Sequence, residues 1–270
     1  MIYDLHVHTT DSDGKYTRLE LLKRAEDKKI KYLSFTDHDY ISNIDIKREY
    51  EELYGKSSVK IINGIEFTVE DYEQMHILCY DLKHTLKIEK KLKEIYEYNA
   101  NLCLRLIKKL RDYYKFDLNI DEYPNYAISK GLIRRMIVDK GYANTPYNAG
   151  ILYTGKNSKF YEKSRFLELK EILRVIKEGN GLAFLAHPST LKLDDYSLDK
   201  LIKKLVNNGL DGIEVLNTSK TTHLQEKYYS YLAKKYNILT SCGSDYHDER
   251  QTFGVENNKS DKLIKLLKER

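Results

Sequence analysis

The stretch Ile2-Tyr3-Asp4-Leu5-His6-Val7-His8-Thr9-Thr10-Asp11-Ser12-Asp13-Gly14 opens the chain and governs its reading. Met1–Leu5 has the look of a strand, and it runs directly into two histidines. His6 and His8 are two residues apart, so on an extended backbone both side chains leave the same face. Two imidazoles on one face can grip one metal ion. A single His-x-His pair arises often by chance, so its weight depends on whether the pattern recurs downstream.

It does recur. After the apolar run Tyr32–Phe35 come Asp37 and His38; after Val59–Ile62 comes Glu66; after Leu182–Ala186 comes His187; after Ile238–Cys242 come Asp245 and His247. His76 is the exception, because it opens the run Met75–Tyr80 instead of closing it. Taken singly, Asp37-His38-Asp39 reads equally well as a helix N-cap and Glu66 as a surface carboxylate. Together, six of the eight histidines sit at or beside expected strand ends, which scattered core histidines would not do.

Between these runs the apolar spacing is helical, over Thr17–Lys29, Ile44–Tyr54, Leu167–Lys177, Leu201–Leu205, Leu224–Tyr236 and Lys259–Leu267. Thr17 with Glu20 forms a capping-box pattern. Gly212–Leu216 is a further strand. Strand–helix alternation of this kind indicates an α/β fold with a parallel sheet. In a closed parallel barrel the carboxyl ends of the strands converge on one face, where barrel active sites sit. The rhythm breaks in the middle. Ile88, Leu92, Ile95, Leu102, Leu106 and Leu110 make a helical stripe over Leu86–Tyr114, and Leu132–Lys140 is a second helix ended by Gly141. Residues 85–164 read as a helical cap inserted into a barrel built from 1–84 and 165–270.

Composition sets the bounds. The 270 residues, 41% hydrophobic with 3 prolines, allow one large domain and leave no Pro-rich linker. No apolar run of about 18 residues exists, and the N-terminus lacks the basic start and apolar stretch of a signal peptide, so a cytoplasmic protein with no membrane association is expected. Cys79, Cys103 and Cys242 are far apart and read as buried free thiols. A net charge of +5 mildly favours anionic substrates and does not by itself indicate nucleic-acid binding. The mixed imidazole and carboxylate set suits zinc, iron or manganese, the carboxylates tilting it toward harder ions. The absence of cysteine from the set disfavours a structural thiolate zinc site.

The opening segment Asp4–Gly14 resembles the first motif of the PHP (polymerase and histidinol phosphatase) family. Thr36-Asp37-His38-Asp39, Gly64-Ile65-Glu66, Ala186-His187-Pro188 and Gly243-Ser244-Asp245-Tyr246-His247 are similar to its later motifs, in order. The resemblance implies a distorted (β/α)7 barrel with three metal sites. His6, His8, Glu66 and Asp245 would hold the first ion; Glu66, His76 and His187 the second, with Glu66 bridging; Asp13, His38 and His247 the third. Two to three divalent ions per chain are expected, with Asp13, where some relatives have histidine, tilting the choice toward manganese or iron over zinc.

Within the family, the length and insertion look most like the branch that acts on nucleoside 3′,5′-bisphosphates, mononucleotides or short 5′-phosphorylated RNA. That branch usually carries Thr-Arg-x-His followed by arginine in the insertion. Here the stretch is Ser129-Lys130-Gly131-Leu132, then Arg134-Arg135: Lys130 keeps the charge without the bidentate geometry, and Leu132 replaces the histidine. The expected activity is hydrolysis of a nucleotide phosphate ester by a hydroxide bridging the first two metals. Lys130, Arg134 and Arg135 would meet substrate phosphate, or alternatively Arg134 and Arg135 would pair with carboxylates such as Asp139. His223 would protonate the leaving oxygen, or else stand as an exposed helix histidine; His84 reads as surface. The alternatives are a histidinol-phosphate phosphatase of the same family and, in another class, a non-catalytic PHP accessory module. The partner is thus a phosphorylated small molecule or short RNA, and no obligate protein partner is inferred.

Overall fold

The computed structural model describes residues 1–42, 45–72, 74–83 and 85–270. His84 and the expected helix start at Ile44 lie outside the described residues. In chain order the elements are β1 (Ile2–Val7), α1 (Arg18–Asp27), β2 (Tyr32–Phe35), α2 (Ile46–Tyr54), β3 (Lys60–Thr68), β4 (His76–Tyr80), α3 (Leu86–Tyr114), α4 (Lys130–Asp139), α5 (Pro146–Ala149), α6 (Leu169–Glu178), β5 (Leu182–Leu185), α7 (Asp195–Asn207), β6 (Gly212–Asn217), α8 (His223–Lys235), β7 (Leu239–Gly243), β8 (Val255–Glu256) and α9 (Asp261–Glu269).

Local chemistry sets several of these boundaries. Thr17 and Glu20 form both reciprocal bonds of a capping box at the start of α1, an arrangement in which losing the cap costs about 0.5–2 kcal/mol. Helix α6 buries Leu169, Ile172, Leu173 and Ile176. The i, i+3, i+4, i+7 spacing gives one apolar stripe that packs on the barrel, each full burial worth roughly 1.5–3 kcal/mol. The three cysteines are free and buried.

The strands form one sheet in the order β7-β6-β5-β4-β3-β2-β1-β8. Strands β1, β2 and β3 are mutually parallel, as are β5, β6 and β7. The sheet curls until the segment after β7 reaches β1: His8 N–H donates to the Tyr246 carbonyl and Asp245 N–H to the His6 carbonyl, each at 2.9 Å. The expected α/β barrel is therefore present. Two details differ from expectation. Strand β4 runs antiparallel to both β3 and β5, so the sheet is not wholly parallel. An eighth strand, the two-residue β8, pairs antiparallel with the start of β1; it is too short to show a period.

Strand β3 also runs past Ile62 to Thr68, which places Glu66 within it and not after it. Gly64 interrupts the apolar run without ending the strand, because a Cβ there would collide with Ser34 of β2. Its lack of a side chain leaves room for the Ser34 and Thr36 side chains.

Helices α3, α4 and α5 lie between β4 and β5 and share a second apolar cluster that includes Leu106, Leu110, Ile133, Met136 and Ala149. The first turns of α3 belong instead to the barrel core through Ile88 and Leu92. The helical layer meets the β1–α1 loop directly. Ala127 N–H donates to the Thr10 carbonyl at 2.8 Å, and the Tyr126 hydroxyl donates to the Lys15 carbonyl at 2.9 Å.

Candidate metal centre

The nine residues singled out as ligands come from both halves of the sheet and meet at one end of it. Strand β1 supplies His6 and the loop after it His8 and Asp13; the loop after β2 supplies His38; β3 supplies Glu66; the loops after β5 and β7 supply His187, Asp245 and His247. His76 is the first residue of β4 and pairs with Thr68, the last of β3. Because β4 is antiparallel, its start lies at the end where its neighbours finish.

His6 Nε2, His8 Nε2, Glu66 Oε2 and Asp245 Oδ1 form one group, with nitrogen–oxygen separations of 3.3, 3.3, 3.2 and 3.1 Å. A tetrahedral ion with bonds of about 2.0–2.1 Å has ligand–ligand edges of about 3.3 Å. The other Glu66 oxygen, Oε1, lies 3.0 Å from His76 Nδ1 and 2.9 Å from His187 Nε2. His38 Nδ1 is 3.2 Å from Glu66 Oε2, and His38 belongs both to a group with Glu66 and His76 and to the third group, with His8, Asp13 and His247. In the third group Asp13 Oδ1 is 3.2 Å from His247 Nε2 and 3.7 Å from His8 Nδ1.

Electrostatics point the same way. His6 Nε2, His8 Nε2, Asp13 Oδ1, His38 Nδ1 and Glu66 Oε2 are buried polar atoms without a hydrogen-bond partner. Such atoms cost about 1–3 kcal/mol each when unsatisfied, and here they converge. Nitrogen and carboxylate donors so gathered fit divalent ions. Burial alone would raise Glu66, but His6, His76 and His38 hold its carboxyl well below the usual range. Burial likewise acts to raise Asp245 and is overcome by Lys220, His6 and His247. Burial acts to lower His8, yet the facing Asp245 and Glu66 carboxylates push it up to about 10. His38 goes the other way, to about 3, mainly through burial. Asp39, His187 and Asp245 have φ of 50°, 24° and 54°, a region costly for residues other than glycine.

The remaining expected site residues fare differently. Arg135 donates to the Asp13 carbonyl at 3.0 Å and lies over the Tyr126 ring. Gly131, at the start of α4, abuts Asp13 so closely that an added Cβ would sit 2.5 Å from the Asp13 Cβ. Lys130 turns into the helical layer, donating to the Glu162 carbonyl at 2.6 Å, and Arg134 donates to Thr154 Oγ1 at 2.9 Å. Asp139, the alternative partner for the arginines, accepts from the Tyr123 hydroxyl instead. His223 does not join the cluster. It is the first residue of α8, its ring is 74% exposed, and it faces Glu226 at 3.5 Å. The helix start carries it outward to solvent.

Sequence reasoning passed over Lys220, whose ammonium contacts the Asp245 carboxylate from the loop after β6. A lone lysine near a strand end gives no local signal. It also passed over Asp37 as a brace: its buried carboxylate accepts from Thr9 N–H at 2.6 Å, Ser12 Oγ at 2.8 Å and Arg18 at 2.6 Å, fixing the loop that carries His8 and Asp13.

The PHP domain model matches residues 4–181. The chain belongs to the PHP domain family. PHP relatives align along almost the whole chain. The 5′-3′ exoribonuclease Rnm of Escherichia coli is 27% identical over 252 residues, covering 92% of this chain and 85% of the relative. The phosphoribosyl 1,2-cyclic phosphate 1,2-diphosphodiesterase of Eggerthella lenta is 29% identical over 271 residues, covering 92% and 94%. The 3′,5′-nucleoside bisphosphate phosphatase of Chromobacterium violaceum is 24% identical over 256 residues, covering 90% and 86%. The fold matches a crystal structure from Bifidobacterium adolescentis, provisionally named a metal-dependent phosphoesterase, with TM-score 0.81 and 23% identity over 98% of this chain and 95% of that one. It also matches a Chromobacterium violaceum amidohydrolase structure, with TM-score 0.78 and 22% identity over 94% and 91%. Among the described residues no helix is long and apolar enough to cross a membrane.

Proposed function

We propose that this PHP chain is a metal-dependent phosphoesterase that hydrolyses a phosphate ester of a ribose: a nucleoside 3′,5′-bisphosphate, a mononucleotide or a short 5′-phosphorylated RNA. The observation that carries the reading is the buried quartet His6, His8, Glu66 and Asp245, with the further ligands grouped around the two Glu66 oxygens and Asp13. His6, His8, Glu66 and Asp245 would hold one ion, Glu66, His76 and His187 a second, with His38 alongside, and Asp13, His38 and His247 a third. The three ligand groups would hold two to three ions per chain, and the carboxylate share of the donors favours manganese or iron over zinc. Such ions neutralise phosphate oxygens and make water acidic enough to serve as nucleophile near neutral pH.

The chain's own residues supply position and shape. Glu66 presents one oxygen to each of two groups. The cap formed by 85–164 closes over Asp13 through Gly131 and Arg135. A guanidinium carries five N–H donors, so Arg135 can hold the Asp13 carbonyl and still meet a phosphate. A cytoplasmic site of action, with no obligate protein partner, is part of this reading.

A second reading, a cyclic ribose phosphate diester as substrate, draws support from the Eggerthella lenta relative and from Leu132. That residue stands where the nucleotide branch has histidine, and it is buried in the cap core, so it offers substrate nothing. The test is phosphate or phosphomonoester release with manganese from five compounds: a nucleoside 3′,5′-bisphosphate, a mononucleotide, 5′-phosphorylated RNA, phosphoribosyl 1,2-cyclic phosphate and histidinol phosphate. Turnover of one of the first three supports the main reading, and turnover of the fourth alone selects the second. Turnover of histidinol phosphate alone, or of none by manganese-loaded protein, refutes both.

A further inference from the structure

Glu214 lies in the middle of β6, in the otherwise apolar run Gly212-Ile213-Glu214-Val215-Leu216, and is fully buried. Burying a carboxylate is costly unless its oxygens are bonded, and both are. Oε1 is 3.0 Å from His6 Nδ1. Oε2 accepts from the His187 backbone N–H at 2.7 Å and from Asn217 Nδ2 at 3.3 Å. The pairing of β6 with β7 is irregular between Glu214 and Leu216, the sort of bulge that re-aims a side chain. The two carboxylate oxygens thus engage residues from two different ligand groups.

We propose that Glu214 is a positioning residue that sets the ring state of His6 and holds the strained backbone of His187, so that one carboxylate readies two of the metal groups together. This rests on His6 and His187 being metal ligands. An ionised carboxylate only accepts hydrogen bonds. His6 must therefore present Nδ1–H to Glu214, which leaves Nε2, the atom facing Glu66 and Asp245, as the lone-pair nitrogen a metal needs. His187 has φ of 24°, and the short bond to its N–H holds the turn that aims its Nε2 at Glu66.

Glu214→Gln keeps the shape and removes one acceptor. If the amide oxygen stays on His187 N–H, the amide NH2 faces His6 Nδ1 and forces the proton onto Nε2. If the amide is flipped, two donors oppose each other at His187. Either orientation spoils one ligand. Outer partners of metal-binding histidines are typically worth 10–100-fold in metal affinity.

The experiment is calorimetric titration of Mn2+ alone into metal-free full-length wild type, Glu214→Gln and Glu214→Asp. It is paired with 1H–15N observation of the His6 Nδ1–H in Zn2+-loaded protein. The expected result is a 10–100-fold weaker Mn2+ affinity for Glu214→Gln, loss of the hydrogen-bonded Nδ1–H signal, and partial recovery of affinity in Glu214→Asp, which restores the acceptors on a shorter stem. Wild-type affinity and an intact Nδ1–H signal in Glu214→Gln overturn the role of Glu214 alone. Equal weakening of Gln and Asp variants overturns it too, because packing and not acceptor chemistry would then be the cause. Failure of wild type to bind Mn2+ overturns the metal reading on which the role depends.

Discussion

The contact between Gly131 and Asp13 makes Gly131→Ala the sharpest probe of whether the cap is part of the active site. An added Cβ would sit 2.5 Å from the Asp13 Cβ and 3.1 Å from its Oδ2. Carbon atoms rest at about 3.5–4.0 Å, so the two groups must separate by about 1–1.5 Å. Either helix α4 backs away or the loop backbone that carries Asp13 does, taking the carboxylate with it. In the first case the Arg135 bond to the Asp13 carbonyl, 3.0 Å long, is pulled beyond hydrogen-bonding range; in the second a metal ligand is displaced. A misplacement of about 1 Å can cost about 100-fold in rate, equivalent to about 2.7 kcal/mol of transition-state stabilisation. Helix propensity works in the opposite direction, since alanine is favoured over glycine by up to about 1 kcal/mol within a helix. The expected variant therefore melts in EDTA close to wild type, the helix gain offsetting part of the lost contact, while kcat/KM on the best substrate falls on the order of 100-fold. Manganese per chain, measured in parallel, tells which side yielded: unchanged if α4 moves, reduced if Asp13 does. Unaltered kinetics together with unaltered metal content would refute the idea that the cap docks on the third ligand group.

Glu66→Ala should abolish nearly all hydrolysis and release manganese from two groups, whereas Asp39→Ala, whose carboxylate accepts from Thr68 N–H at 3.0 Å, should do much less; equal losses would show the ligand assignment to be wrong. Arg135→Ala should lower kcat/KM by about 1.5–3 kcal/mol, the range for a hydrogen bond to a charged group, at constant metal content; loss of metal would make Arg135 a support of Asp13 and not a phosphate contact. Glu162, hydrogen-bonded by Lys109 and Arg105, has its carboxyl held down at about 2, so its stabilising share is present above the unfolded value and is lost as pH falls toward 2. Glu162→Gln should reduce the acid loss of thermal stability in EDTA by under about 1 kcal/mol, because the pair is partly exposed, and identical acid profiles of variant and wild type would exclude that contribution.

Much of this architecture is legible in the residues because burial and periodicity are local signals. Tyr32–Phe35 and Leu86–Tyr114 are found at their expected bounds, and Thr17 caps α1 with Glu20 as its spacing indicates. Features that depend on partners far along the chain are not legible. Strand β8 has two residues and exists because β1 offers an edge. Strand β3 persists beyond Gly64 because β4 lies alongside. The general-acid expectation for His223 rested on its nearness to a strand end in sequence; the start of α8 turns it away, while Lys220, three residues earlier, reaches Asp245. Glu214 was open to detection, since an acid amid buried apolar residues is unusual unless it is bonded.

His76 shows how a ligand pattern can determine strand direction where propensity cannot. A five-residue apolar run has the same periodicity whichever way it points. Every other ligand, however, lies within or after its strand, so all belong to one end of the sheet. A ligand on the first residue of a run can reach that end only if the run is reversed. The reversed strand requires antiparallel neighbours on both sides, which β3 and β5 are, and the short return from Thr68 to His76 suits a tight connection between antiparallel strands and not the dozen or more residues a parallel crossover needs. The same reversal sends the chain out of β4 at the far end of the sheet, so α3 must climb back past the barrel wall before the cap can reach Asp13. That climb accounts for its 29 residues: at about 1.5 Å per residue they span about 43 Å, with Ile88 and Leu92 packed on the barrel at the start and Leu106 and Leu110 within the cap at the end.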